Sequence, residues 1–186
     1  MEAKEKILDA AIKVFNVKGL KFTMDDIASE LSMSKKTIYT VFRGKEELFF
    51  EMVDYCFDKI KESENAVVSR NDLGTEEKIR LILGVLPDGY RDIDFGKLYS
   101  LKNDYPDIYK KVEERLETGW ENTFMLISRG IEEGVIRPIN TIIFKTMFEA
   151  ALEQFFQRDI LVANHISYSE ALDEVVEILL DGITVK

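Results

Sequence analysis

The chain has 186 residues, 46% of them hydrophobic and 12 of them Phe, enough to bury a sizeable core and too apolar for a disordered chain. Its net charge of −10 is unevenly spread, with nine Lys/Arg and eight Asp/Glu in residues 1–50 and sixteen against twenty-seven in residues 51–186. The acidic total therefore does not exclude a nucleic-acid partner, because contact is decided by the local field within roughly 8–10 Å. Helical spacing dominates from the start, and an all-α fold is predicted. The first helix covers about 3–18, with Ile7, Ala11, Val14 and Phe15 on one stripe and Gly19 as its stop. Thr23 is the natural N-cap of a second helix, with Asp25 and Asp26 in its first turn and Met24, Ile27 and Leu31 on its buried face. Ser32 and Met33 form a short turn, and Ser34 caps a third helix over about 35–42. Gly44 precedes a long fourth helix, about 45–68, and Thr75 is expected to cap a fifth. Pro87, Gly89 and Gly96 punctuate residues 86–96 as a kink or loop. A short helix to about 103, one long helix from Pro106 to about 133, an apolar helix over 139–163 and a last helix over 169–183 complete the chain.

Two short helices joined by a tight turn describe a helix-turn-helix. In the stretch "SMSKKTIYTVF", Ile38, Val41 and Phe42 share one side, suited to pack on Ile27, Leu31, Ala11 and Phe15. Lys36 and Thr40 point the opposite way, Thr37 and Tyr39 flank them, and Lys35 lies at the amino end. That outward face of the third helix is cationic and hydrogen-bonding and has no carboxylate. Base edges would be met mainly by Lys36, Thr37 and Thr40. Phosphates would be met by Lys35, Tyr39 and the helix starts at Thr23 and at Gly44-Lys45, where backbone N–H groups are free. Ser34 belongs to the same surface.

Residues 7–48, with the match running through "ILDAAIKVFNVKGLKFTMDDIASELSMSKKTIYTVFRGKEELF", resemble the DNA-binding domain of the tetracycline-repressor (TetR) family of transcriptional regulators. The resemblance runs through Ala11, Phe15, Gly19, Thr23, Ile27-Ala28, Ser34, Ile38-Tyr39, Phe42, Lys45 and Leu48. Beyond it, "RGIEEGVIRP" resembles the segment that ends one of the family's long helices. Two departures stand out. Ser32 occupies a turn position where the family commonly has glycine, and Thr40-Val41 replace an aromatic or histidine often found late in its recognition helix. The resemblance implies an N-terminal three-helix DNA-binding domain, residues 1–47, and a larger helical effector-binding and dimerisation domain, residues 48–186. It implies a ligand-responsive regulator, a repressor in the first instance, that binds a palindromic double-stranded operator as a homodimer and is released by a small-molecule effector of unknown identity.

In the larger region, Ile142, Ile143, Phe144, Met147, Phe148, Ala151, Leu152, Phe155 and Phe156 cover far more than the ~100° arc that one core contact requires. The last helix behaves alike, with Leu172, Val176, Leu179 and Ile183 beside Ala171, Val175 and Ile178. Either both helices are buried in one large core, or they pair with their copies as a four-helix bundle across a homodimer; the second is the expectation. Tyr99, Trp120, Phe124 and Phe148 are the candidate effector-binding residues, with Tyr90, Phe95 and Met125 as further soft or aromatic neighbours. Glu149 and Glu153 would favour a cationic effector if they turn inward, and say nothing if they lie on the wet side.

Cys56 is the only cysteine and excludes an intramolecular disulfide; it reads as a half-buried thiol on a helix. No apolar h-region opens the chain and no stretch approaches about 18 apolar residues, so neither a signal peptide nor a membrane span is expected, and a cytoplasmic location is. An enzyme is the runner-up class. Di-metal bundles need Glu-x-x-His ligands, but the single histidine, His165, has Val162 three residues before it. No metal, cofactor or catalytic residue is expected, and His165 reads as a loop residue. A third reading, an all-helical ligand-binding or scaffold protein without DNA binding, conflicts with the intact Lys35, Lys36, Thr37 and Tyr39.

Overall fold

A computed structural model describes residues 3–86 and 101–186, with residues 156 and 157 as backbone alone. Its helices are α1 (Ala3–Lys18), α2 (Met24–Glu30), α3 (Lys35–Val41), α4 (Lys45–Val68), α5 (Thr75–Leu83), α6 (Leu101–Asp104), α7 (Pro106–Glu117), α8 (Glu121–Glu132), α9 (Thr141–Gln157), α10 (Ile160–Ala163) and α11 (Tyr168–Asp181). No strand occurs among the described residues, where Ile136 and Thr184 form a lone antiparallel bridge. The fold is all-α, as the periodicity predicts.

Two apolar cores organise the helices. The first gathers Ile7, Ala11 and Phe15 of α1, Ile27 of α2 and Ile38 of α3 with Phe42 and, from α4, Leu48, Phe49, Met52 and Val53. Its centre is aromatic: Phe15, Phe22 and Phe49 lie with ring centroids 5.5–6.4 Å apart, an arrangement that favours tilted and edge-on contacts. Leu101, Ile108 and Tyr109 join this core from α6 and α7, and Tyr105 stacks edge-on against Phe49 at 5.8 Å. The second core is built from α5, α8, α9 and α11 around Ile79, Leu126, Ile127, Phe148 and Leu172. Helix α4 begins in the first core and ends with Val67 and Val68 against the second. At 24 residues it spans about 36 Å. The boundary expected after residue 47 thus falls at the head of a helix whose opening turns belong to the first core.

Short helices at the N-terminus are specified by their ends. Thr23 accepts from the Asp26 N–H while the Asp26 carboxylate accepts from the Thr23 N–H, a reciprocal cap on α2. Ser34 accepts from the Thr37 N–H and caps α3. Between them Ser32 has φ 51°, with its N–H on the Ser29 carbonyl and the next N–H, of Met33, on that of Ala28. This pairing closes α2 through a left-handed residue. The position therefore has the conformation for which glycine is suited, and serine holds it at a cost of roughly 1–2 kcal/mol.

Three expected boundaries differ. The helix expected over 106–133 is two helices, because Gly119 between α7 and α8 is left-handed at φ 80°. The apolar helix expected over 139–163 ends at Gln157, with Arg158 extended (φ −135°, ψ 156°) before α10. Gly74, rather than Thr75, holds the N-cap position of α5, and Thr75 is its first helical residue. The predicted break over 86–96 lies outside the described residues from Pro87 onward. Within "RGIEEGVIRP", Gly134 is left-handed at φ 74° and closes α8, its N–H on the Ile131 carbonyl and the Val135 N–H on that of Gly130. No helix among the described residues is long and apolar enough to cross a membrane.

Candidate nucleic-acid interface and effector cavity

Helix α3 has one fully buried side chain, Ile38, and an outward side made of Lys35, Lys36, Thr37, Tyr39 and Thr40, all exposed. Ile38 works as the anchor: it enters the first core with Phe42 and holds the opposite side toward solvent. The hydroxyls are ordered along that side. Ser34 Oγ and Thr37 Oγ1 share a 2.8 Å hydrogen bond, and Thr40 Oγ1 donates to the Thr37 carbonyl at 2.6 Å. Lys36 has no hydrogen bond or ion pair among the described residues, so its ammonium is available to a partner.

Two cations are held by other groups of the chain. Lys35 Nζ lies 2.8 Å from the Asp25 carboxylate of α2, which holds its ammonium above the ordinary lysine value. A carboxylate is thereby brought to the rim of a face that lacks one in its own sequence. Lys45 turns inward: its ammonium donates to the Leu20 carbonyl and lies 4.5 Å from the centre of the Phe22 ring and 5.5 Å from that of Tyr105. What α4 offers outward at this end is backbone, since Gly44 makes no side-chain cap. Thr23 is exposed, with its hydroxyl engaged in the α2 cap. Arg43, not singled out by periodicity, is exposed in the α3–α4 turn; its N–H donates to Glu47 at 2.6 Å, and its position beside the helix start was the available signal.

A cavity of about 200 Å³ runs between the two cores. Its near end is formed by Ile12 and Phe15 of α1 and Phe49 and Met52 of α4; its far end reaches Leu152, Tyr168 and Leu172. Of the aromatic candidates, Trp120 and Phe148 line it, with ring centroids 5.6 Å apart. Phe124 sits behind Trp120 at 6.0 Å and does not reach the wall. Met125 turns outward, and Tyr90, Phe95 and Tyr99 lie outside the described residues. Cys56, half-buried, also lines the cavity.

Among the described residues, four charged side chains reach this apolar space. Lys61 donates to both carboxylate oxygens of Glu64 at 2.7–2.8 Å and also to the Gly119 carbonyl. Arg115 bonds Asp58 at 2.7 Å and Asp54 at 3.4 Å. Glu149 accepts from Trp120 Nε1 at 3.1 Å and faces Lys145 at 3.5 Å. Burial pushes the Glu149 carboxyl above its ordinary value, against the lowering effect of Lys145. Glu153 does not reach the wall.

The outer side of the larger body is apolar. On α9, Phe144, Phe148 and Leu152 turn inward while Ile142, Ile143 and Met147 remain 54–59% exposed. On the neighbouring α11, Ile178 is 67% exposed. His165 is an exposed loop residue between α10 and α11.

Comparison with known proteins agrees with this geometry. Residues 7–52 match the family model described as bacterial regulatory proteins, tetR family. Over 180 residues the chain is 26% identical to the uncharacterized HTH-type transcriptional regulator YvaF of Bacillus subtilis, covering 97% of this chain and 95% of that protein. Over 119 residues it is 39% identical to IcaR of Staphylococcus aureus, the biofilm operon icaADBC HTH-type negative transcriptional regulator; this match spans 60% of the chain and 62% of IcaR's length. Its fold is similar to that of the transcriptional regulator FadR from Bacillus subtilis in complex with stearoyl-CoA, with a TM-score of 0.68 at 19% identity, over 96% of this chain and 98% of that one.

Proposed function

The chain belongs to the TetR family of transcriptional regulators, and from that premise we propose that it is a ligand-responsive repressor, binding a palindromic operator as a homodimer and released by a small molecule. The observation that carries this reading is the exposed, carboxylate-free side of α3, with Lys36 and Thr40 both open to solvent over a buried Ile38. A helix fixed by an apolar back and presenting a cation and hydroxyls suits the edges of base pairs in a major groove. Repression is favoured by the likeness to IcaR, which is a negative regulator.

A single α3 reads one half-site. A twofold partner supplies the second, and the exposed apolar side of α9 and α11 is the surface that would join the copies as a four-helix bundle. In this arrangement the inner faces of α9 and α11 serve their own core and the outer faces serve the partner.

The switch follows from α4. Its first turn adjoins α3, and Met52, Cys56, Phe57, Ile60, Lys61 and Glu64 form one wall of the cavity turn after turn. A molecule there bears on α4 directly, and on α1 through Ile12 and Phe15. FadR, of similar fold, is seen in complex with stearoyl-CoA, which favours a small-molecule ligand here. A ligand that prefers a tilted α4 changes the spacing of the two α3 helices, and a coupling of about 1–3 kcal/mol shifts operator affinity by roughly 5- to 150-fold.

The test is a gel-shift and footprinting series on DNA upstream of the chain's own gene, from 50 to 200 mM salt. A protected inverted repeat, bound by two copies with affinity falling steeply as salt rises, is expected. Salt-independent binding, or protection without symmetry, would refute the reading.

A further inference from the structure

We propose that the molecule recognised in the cavity is an uncharged, predominantly apolar one, and that the cavity discriminates against both anions and cations. The inference rests on the reading of the cavity as the effector site. Its walls are aliphatic and aromatic from the α1–α4 end to the α9–α11 end. An apolar chain or ring entering it exchanges water for close contact over most of its surface.

The charges at the wall point the same way. Each already has an opposite partner: Lys61 with Glu64, Arg115 with Asp58 and Asp54, Glu149 with Lys145. These pairs include Glu64, itself 6% exposed, and Lys61 is further tied to the Gly119 carbonyl. A carboxylate on the ligand could capture Lys61 only by leaving Glu64 buried and unpaired. An ammonium could capture Glu64 or Glu149 only by displacing Lys61 or Lys145 from its partner, each a partly buried lysine at 32% and 23% side-chain exposure. Breaking a pair from one side leaves an uncompensated charge; the penalty is largest for Glu64, at 9% side-chain exposure, and smallest for Asp58, at 63%. Glu149 therefore does not define a cation site, although it does line the wall. Of the uncharged polar groups at the wall, Thr118 donates to the Glu114 carbonyl and Trp120 to the Leu116 carbonyl and Glu149, whereas Thr123, buried there, has no hydrogen bond to its hydroxyl among the described residues. A ligand hydroxyl matches it without disturbing any ion pair.

Three probes of equal chain length separate the possibilities: 1-decanol, decanoate and decyltrimethylammonium, each below its micelle-forming concentration. Trp120 is the only tryptophan and lies in the cavity wall, so its fluorescence reports occupancy of this site. Decanol is expected to change that signal saturably, with both charged probes at least tenfold weaker. In Glu64→Gln, which frees Lys61, decanoate should gain at least tenfold relative to decanol. A charged probe binding the unaltered protein as tightly as decanol overturns the proposal. So does a failure of decanol to bind, or a folded Glu64→Gln protein with unchanged preference; if that variant does not fold, the comparison on the unaltered protein decides alone. Operator release is measured separately. Binding of decanol without release of DNA would refute the cavity's role as effector site while leaving its charge preference standing.

Discussion

The N-terminal three-helix unit and the larger helical body solve opposite problems. In the first, α2 and α3 are seven residues each, too short to persist on their own, and they are held by side-chain caps and by a dense aromatic core under Phe22 and Phe49. Its outer side is polar, and its apolar residues are almost all consumed internally. In the larger body the helices are longer, yet the packing leaves a cavity on one side of α9 and bare Ile142, Ile143 and Met147 on the other. The smaller unit closes its core with α4, α6 and α7 and offers chemistry to a polar partner. The larger one is incomplete in two apolar places, which a ligand and a second copy would fill.

The strongest way to break this contrast is to charge the bare face. Ile143→Glu with Met147→Glu should leave each chain folded but monomeric by analytical ultracentrifugation. With one half-site contacted, operator affinity should fall toward the non-specific level, a loss of about 10³-fold or more. A dimeric double variant would show that the apolar side of α9 is not the contact.

Next in size is the polar face. Lys36→Ala should relax preference at one base position and cost about 1–3 kcal/mol, read by binding to operators substituted one pair at a time. A uniform loss across all sequences would instead make Lys36 a phosphate contact.

Ser32→Gly sharpens the account of the smaller unit. With φ at 51°, this turn should be relieved by glycine, stabilising the protein by about 1 kcal/mol in urea unfolding. The least effect is expected from pH. The Lys18 ammonium and then the Thr23 hydroxyl and N–H hold the Asp26 carboxyl below its ordinary value of 3.8. A depressed carboxyl contributes stability that is present above its unfolded value and is lost as pH falls through the folded one. Acid unfolding monitored by circular dichroism should therefore be less pH-dependent below about pH 4 in Asp26→Asn than in the unaltered chain.

The smaller unit was legible because its signals are local: Thr23 and Ser34 cap, Gly19 stops, and Ile38 repeats with Phe42. Lys45 was not, because a cation at a helix start reads as outward, whereas here the Phe22 and Tyr105 rings and the Leu20 carbonyl draw it in. The breaks at Gly119 and Arg158 were hidden because apolar periodicity continues through both. The cavity could not be assembled from sequence, since its wall draws on α1, α4, α5, α6, α7, α8, α9 and α11. The pairing of Glu149 was half-visible, because Lys145 lies four residues earlier on the same helix.

Gly119 has a mechanical consequence. It separates α7, which packs along α4, from α8, which belongs with α5, so the chain has a joint here while α4 alone runs unbroken from one core to the other. Lys61 is the pin through that joint: its side chain crosses from α4 to the Gly119 carbonyl, and its Cε would lie 2.5 Å from any Cβ placed there. An alanine at the joint would displace the pin and strain the left-handed turn at once. The α7–α8 turn and the α4 wall of the cavity are thus fastened to each other at Lys61, and a side chain at residue 119 would loosen both.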